Sequence, residues 1–497
     1  MPEPNDRPEV WLGIDLGTQS VRVLAVDAAG RTRGSGAEQL RSHRDGPRHE
    51  QDPEQWWSAV RTACRRALDG VPGAAVRGVS VCATSGTILL TDRAGRPLTP
   101  GLMYDDSRAV EEAPRAAEAG AALWKRLGHR PQPSWALPKL LWLLRHHSPL
   151  PPGARLLHQA DYVVERLTGG PVATDSSHAL KTGYDTERES WPTAVFEDLR
   201  IPGALLPDVV RPGTVLGAVC PEATEATGVP EGTLVVAGMT DGCAAQISAG
   251  ALEPGAWNSV LGTTLVLKGV TEQRLRDPLG VVYSHRAPDG NWLPGGASST
   301  GAGVLSLAFP GRNLATLDVR AQPFEPSGLV TYPLAGKGER FPFLAPEAKG
   351  FTLGDRHGAA EADYHASLLQ GVAFVERLCF DYLGLLGAPL DGPVTFTGGG
   401  ARSPYWCQLR ADVLGRPVGL PDNAEAALGM AVLARAGTTT PLGAVARDMV
   451  RLRAVVEPRP EHTRRLLESH LRLVDALEER GWLPAAVARH SRRRAHL

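Results

Sequence analysis

A strand–turn–strand phrase that occurs twice, half a chain apart, constrains this sequence more than any other feature. Near the N-terminus, Val10-Trp11-Leu12-Gly13-Ile14-Asp15 runs through Leu16-Gly17-Thr18-Gln19-Ser20 into the β-rich stretch Val21–Val26. In the middle, Trp257–Leu261 runs through Gly262-Thr263-Thr264 into Leu265–Lys268. The shared Leu-Gly-Thr is short, but both copies sit in the same hairpin context. Two related halves, one starting near residue 10 and the other near 250, would explain both the repeat and the length of 497 residues. Single hydrophobic cores stop growing at about 250–300 residues, so a chain of this size divides into at least two.

Other local signals add an α/β reading. The phrase Asp27-Ala28-Ala29-Gly30-Arg31 closes the first hairpin, and Asp92-Arg93-Ala94-Gly95-Arg96 ends the later run Gly78–Leu90. Repeated strand–DxxGR–strand units predict a meandering β-layer. Asp52-Pro53-Glu54-Gln55 combines an N-cap, a proline at the first helical position and Gln at N3. Trp56, Val60, Ala63, Cys64, Ala67 and Leu68 then fall on one helical face. Leu137–Leu144 reads as a short core helix, and Glu361–Leu386 as a long buried one. Glu461–Arg480 reads as an amphipathic helix closed by Gly481, with Arg492–Arg494 as a frayed tail.

Composition excludes several function classes. The 53 basic and 54 acidic side chains leave a net charge of −1, without the basic excess of a phosphate-neutralising nucleic-acid binder. No apolar run is long enough to span a bilayer, and the first residues lack the pattern of a secretory signal. The six cysteines form no CxxC pair and read as reduced thiols of a cytoplasmic protein. A Walker loop, HExxH, GxSxG and a strand-linked GxGxxG are all absent.

Four positions carry chemistry. Asp15, at a strand end before a turn of small polar residues, suits a phosphate and its magnesium; a plain hairpin turn with a locally bonded Asp is the alternative. Leu261-Gly262-Thr263-Thr264 is a second turn of this type. Gly398-Gly399-Gly400, after Val394–Thr397, would let a ligand approach the backbone, or would simply be a flexible connection. Met239-Thr240-Asp241-Gly242 follows the β-run Thr233–Gly238 and precedes a small-residue helix, Cys243–Ala251. Its carboxylate could act as general base toward a hydroxyl, or cap the helix; capping alone would tolerate Asn or Ser.

The ordered set DLGTQS, QDPEQWW (51–57), MTDG, SVLGTT and FTGGGARSPYWCQLRADVLGRPV (396–418) resembles the FGGY family of carbohydrate kinases, over roughly residues 10–440. Within that family the chain is most similar to D-ribulose kinases of the plant and cyanobacterial, xylulokinase-like kind. Segments 156–162, 179–185, 282–286 and 337–342 carry that similarity. The resemblance implies an α/β fold of two actin-like (ribonuclease-H-like) domains flanking a catalytic cleft. The domains would be a sugar- and phosphate-side domain over 10–250 and a nucleotide-side domain over 251–455. A disordered tail over 1–9 and a helical extension with a basic tail over 456–497 would complete the chain.

The implied reaction is transfer of the ATP γ-phosphoryl group to a sugar hydroxyl, with ATP and Mg2+ as the only cofactors. No nucleic-acid or membrane partner is expected, and a homodimer is left open. By motif, Asp241 would be the catalytic base beside the sugar, and Asp15 with Asp241 would hold the metal. Thr18, Gln19, Gly262 and Thr263 would meet the phosphates, and Gly399, Gly400 and Ser403 the adenosine. Thr84, Ser85, Tyr104, Asp105 and His158 would lie on the sugar side. Xylulokinases of the family carry Met-His where this chain has Thr84-Ser85, and Asn where it has Gly242, which favours D-ribulose over D-xylulose. Another ketose or polyol kinase is the near alternative, and a non-catalytic actin-like nucleotide-binding module the distant one.

Overall fold

The opening phrase folds as a hairpin because its β-branched and apolar residues alternate around a turn that needs small side chains. In the computed structural model, which describes residues 9–72, 75–129, 131–439 and 441–495, β1 (Val10–Leu16) pairs antiparallel with β2 (Ser20–Asp27). Of the tail expected over 1–9, residues 1–8 lie outside the described residues. β2 continues antiparallel into β3 (Thr32–Gln39) through the DxxGR turn, where Asp27 Oδ1 accepts from the Ala29 and Arg31 amides. Asp92 repeats this, accepting from the Ala94 and Arg96 amides, so the two phrases are one turn used twice. The run 78–90, however, is two strands belonging to different sheets: β4 (Val76–Ala83) and the separate strand Ile88–Thr91.

The strands and helices gather into two units. The first contains Met1–Gly250, His285–Asn291 and Asn423–Arg451; the second contains Ala251–Ser284, Trp292–Asp422 and Leu452–Leu497. In the first unit β5 (Val215–Ala218) and β6 (Leu234–Val236) complete a sheet of order β5-β6-β4-β1-β2-β3. Here β1, β4 and β6 run parallel, and the outer pairs are antiparallel. In the second unit β7 (Trp257–Leu261), β8 (Leu265–Gly269), β9 (Trp292–Ala297), β10 (Val394–Thr397), β11 (Val418–Pro421) and β12 (Leu452–Val456) pair in the order β9-β8-β7-β10-β11-β12. Apart from one added edge strand, Tyr283–Arg286 beside β9, its pairings match those of the first sheet: β7, β10 and β11 are parallel, the flanking pairs antiparallel. The repeat seen as three letters is therefore a repeat of six-strand topology.

Helices cover these sheets as their apolar periodicity requires. α1 (Pro53–Ala67) buries Trp56, Val60, Ala63, Cys64 and Ala67, and Asp52 caps it by accepting from the Glu54 amide. The reciprocal half of the expected capping box is not made, because Gln55 Oε1 accepts from the Arg41 amide instead. The helix Ala426–Thr439 returns to the first unit and lies so close to β1 that a Cβ on Gly13 would stand 1.7 Å from the Ala427 oxygen. Only glycine admits that approach.

Three further helices of the first unit bear on the site: α2 (Ala136–His147), α3 (Gln159–Thr168) and α4 (Asp241–Ser248). In the second unit α5 (Glu361–Leu385) is buried along most of its length. Its Glu376 forms a fully buried ion pair with Arg410 of α6 (Pro404–Leu414), and both side chains bond Ser259 of β7. α7 (Pro460–Glu479) buries Leu466, Leu473, Val474 and Leu477. The residues expected as a frayed tail form α8 (Ala485–Ala495): Arg492 pairs with Asp475 and Glu478 of α7, and Arg494 with Asp381 of α5. The arginine run reads as a solvated tail because the acidic partners of Arg492 and Arg494 are distant in sequence. No helix among the described residues is long and apolar enough to cross a membrane.

Candidate active site

Parallel sheets present ligand-binding residues where their strands end, beyond the last backbone hydrogen bonds. In the first unit, three adjacent parallel strands end together. Asp15 is next to last in β1 and registers with Cys82 of β4; Ala83, the last residue of β4, bridges to Thr240 beyond β6. Asp15, the segment Thr84-Ser85 and Asp241 thus emerge from neighbouring strand ends. Asp241 is the first residue of α4, Thr240 is its extended N-cap, and Asp241 Oδ1 accepts from the Gly242 amide at 2.7 Å.

The two carboxylates feel each other. Burial, and then the charge of Asp241, push the Asp15 carboxyl up to about 6, against the opposing pull of the Cys82 thiol and Arg22. The Cys82 thiol is itself held well above its ordinary range by burial and by both aspartates, so it stays protonated and donates to Asp15 Oδ1 at 3.6 Å. A buried carboxyl whose proton affinity is raised by a neighbouring carboxylate is what a divalent cation relieves, and Asp15 with Asp241 fits Mg2+ on that ground. Among the described residues a second cluster, Glu325, Asp412 and His462, has ligand-like spacing in the other unit. There the Arg459 guanidinium already bridges Glu325 and Asp412, making it an ion-pair network.

A buried network with little trace in the sequence holds the residue before Asp241. The Thr240 amide donates to Ser177 Oγ at 2.9 Å, and Ser177 donates to Asp175 Oδ1. Asp175 also holds His178 Nδ1, while His178 Nε2 reaches the Ala83 oxygen at 3.3 Å. Burial opposes both charges of this pair, yet their mutual attraction keeps the Asp175 carboxyl low and the His178 imidazole high. One buried network therefore ties the end of β4 to the start of α4. The N-cap pattern Asp175-Ser176-Ser177 was its only sequence signal.

The turn after β1 is braced by the QDPEQWW segment. Gln51 Nε2 donates to the Thr18 oxygen at 2.7 Å, and Gln51 Oε1 accepts from Trp56 Nε1. Thr18 is half-buried and Gln19 exposed, so the turn is held by its backbone and leaves side chains outward. In the second unit the turn Gly262–Thr264 is supported similarly: the Ala302 and Gly303 amides donate to the Gly262 and Thr263 oxygens. A Cβ at Gly301 would stand 2.4 Å from Thr264 Cα, so the Ser298–Gly303 segment, unremarked in the sequence, shapes this turn by close approach. Thr263 is exposed.

Several predicted contact residues turn out to be committed internally. His158 is fully buried, its Nδ1 shared by Asp161 and Thr174 and its Nε2 bonded to Thr182, so no ring nitrogen is left for a sugar. Thr84 is buried, with its hydroxyl on Gln159 and Thr87. Gly400 is buried, with room for no Cβ beside Leu261, whereas Gly399 is exposed with open space around it. Ser403 caps α6 through the Trp406 amide and donates to Asp318. Gly398, part of the glycine run but not of the expected adenosine contacts, takes φ +79, and a Cβ there would lie 2.7 Å from the Leu261 oxygen. It is this glycine that lets the turn lie against β7.

Ser85, by contrast, keeps a buried hydroxyl with no protein partner among the described residues. Tyr104 is 42% exposed, and its phenol is pushed up by burial and by the charges of Asp105 and Asp241, which places it in the same field as the carboxylate pair. Asp105 is half-exposed; hydrogen bonds from His49 and Arg44 overcome burial and hold its carboxyl below the ordinary range.

The comparisons with known proteins agree with this architecture. Residues 10–248 match the FGGY family of carbohydrate kinases, N-terminal domain, and residues 257–437 match that family's C-terminal domain. The chain is 34% identical over 441 residues to the xylulose kinase of Streptomyces coelicolor, covering 85% of this chain and 87% of that one. It is 32% identical over 430 residues to the xylulose kinase of Streptomyces rubiginosus, with 85% and 87% covered. The crystal structure of xylulose kinase from Rhodospirillum rubrum superposes with a TM-score of 0.84 at 25% identity, covering 94% of this chain and 99% of that one.

Proposed function

We propose that this chain, which belongs to the FGGY family of carbohydrate kinases and is a sugar kinase, transfers the γ-phosphoryl group of ATP to the terminal hydroxyl of D-ribulose, forming D-ribulose 5-phosphate. The observation that carries the reading is the convergence of Asp15, Ser85 and Asp241 at the ends of three parallel strands, with Tyr104 in the field of Asp241. Asp241 accepts the proton of the attacking hydroxyl, a role that needs a carboxylate held in place, as its fixed position at the start of α4 provides. Asp15 and Asp241 hold Mg2+, which when bound with ATP neutralises charge on the transferring phosphoryl group. Thr18 and Gln19 meet the phosphates, as do Gly262 and Thr263; Gly399 borders the adenosine. Ser85, Tyr104 and Asp105 bind the ketose, and the buried Ser85 hydroxyl gains a partner when a sugar hydroxyl arrives.

D-ribulose is preferred because Thr84-Ser85 and Gly242 replace the Met-His and Asn of family xylulokinases. A second reading, D-xylulose, is favoured by the relatives named xylulose kinase. Coupled ADP release on a panel of ketopentoses separates the two: a preference for D-ribulose is expected, and equal or better turnover of D-xylulose overturns the substrate assignment. Asp241→Ala is expected to abolish sugar phosphorylation, a loss of about 10²-fold or more, while nucleotide binding persists. Kinase activity retained in that variant would remove Asp241 from the mechanism.

A further inference from the structure

The segment that carries Tyr104 and Asp105 rests on a buried cation. Lys139, on the first turn of α2, is fully buried among Leu137, Leu140, Leu141 and Leu143 of the same helix. Its Nζ donates to the Met103 oxygen at 2.6 Å and the Leu102 oxygen at 3.3 Å, the two carbonyls just before Tyr104. Burying an ammonium whose hydrogen bonds go to carbonyls and to no carboxylate is costly. A methionine would suit this apolar helix face at no such cost, so the charge serves the backbone it grips.

The neighbouring residues hold the same segment from its other side. The Met103 amide donates to the His49 oxygen, and the Asp106 amide to the Met103 oxygen. Asp106 accepts from the His49 amide and from Arg108, which bonds Glu50 and lies 4.8 Å over the Trp142 ring of α2. Tyr104 and Asp105 are left as the outward-facing pair on a main chain fixed from beneath.

We propose that Lys139 is a positioning residue for sugar binding: its ammonium fixes the Leu102–Met103 carbonyls, so affinity for the ketose, and not for ATP, depends on it. The inference rests on the ketose-kinase reading above. Burial pushes the Lys139 ammonium down to about 7. The groups facing it are Asp105, Asp106 and Arg108 from the loop and Lys181 from the turn that follows His178. Farther along α2, Glu112 faces Arg145, and the strand Ile88–Thr91 brings no ionisable side chain. Asp105 is held low and Arg108 high, so neither titrates near neutrality. The anchor therefore weakens as pH rises past 7, because the neutral amine donates less strongly to the carbonyls.

The test is steady-state kinetics from about pH 6 to about pH 9 on the full chain and on Lys139→Met, with ketose and ATP varied separately. For the full chain the ketose KM is expected to rise about tenfold across this range while the ATP KM stays within about twofold. For Lys139→Met the ketose KM should stand at least about tenfold above the full chain's value at about pH 6 and stay there across the range, so that the two converge toward about pH 9, with kcat and the ATP KM little changed. A folded Lys139→Met with an unaltered ketose KM overturns the proposal, as does a pH-independent ketose KM in the full chain, which decides the matter alone if the variant does not fold. Failure of the full chain to phosphorylate any ketose at any pH refutes the functional reading, and this inference with it. Ketose turnover with an insensitive KM refutes this inference only.

Discussion

Asp15→Asn separates the catalytic and stability consequences of one carboxyl. In the folded protein burial and the Asp241 charge raise this group from 3.8 to about 6. A carboxyl whose folded pKa lies above its unfolded value takes up its proton more readily when folded. Its contribution to stability is thus complete below the unfolded pKa and is lost as pH rises through the folded one. Above pH 6 the wild-type protein carries an ionised Asp15 at an unfavourable site, and a displacement of roughly two pKa units corresponds to ~3 kcal/mol. Asparagine keeps the shape and an oxygen for the Cys82 thiol while removing the charge. At about pH 8 in chelator, Asp15→Asn should therefore be more stable by up to ~3 kcal/mol in urea denaturation, and the difference should shrink toward about pH 4 as the wild-type carboxyl protonates. The same variant should lose sugar phosphorylation, and a rise in melting temperature with added Mg2+, expected for the wild type through linked binding, should be absent from it. A variant less stable than wild type at pH 8, or a difference that does not change with pH, would refute the electrostatic account of this site.

Two further outcomes follow from buried groups. Ser177→Ala leaves the Thr240 amide without its acceptor, costing about 1–3 kcal/mol, and should lower kcat by roughly that equivalent while nucleotide affinity is kept; unaltered kcat in a folded variant would remove the network from the positioning of Asp241. Arg410→Met strands the Glu376 carboxylate among buried neighbours in the second unit, and urea denaturation should show a loss of about 3–5 kcal/mol. A neutral effect would mean that the pair is replaceable by packing alone.

Features that depend on near neighbours were legible in residue order alone. Alternating apolar residues set β1, β2, β7 and β8; the Asp52-Pro53 cap and the helical spacing that follows set α1; the long period-3.6 stretch set α5. The positions of Asp15 and Asp241 at strand ends were legible too, because a carboxylate beside a glycine turn is a local pattern. Which polar groups remained free to act was settled by long-range packing. Thr84, His158 and Ser403 looked available, yet Gln159, Thr182 and Asp318, each supplied by a different segment, consume them. Lys139 looked like an ordinary helix residue until Leu102 and Met103 came to lie against it. The helix Ala426–Thr439 joined the first unit, and Arg492 and Arg494 found carboxylates on α7 and α5. Backbone propensity and side-chain period act over a few residues, whereas desolvation and hydrogen-bond pairing are settled only when distant segments meet.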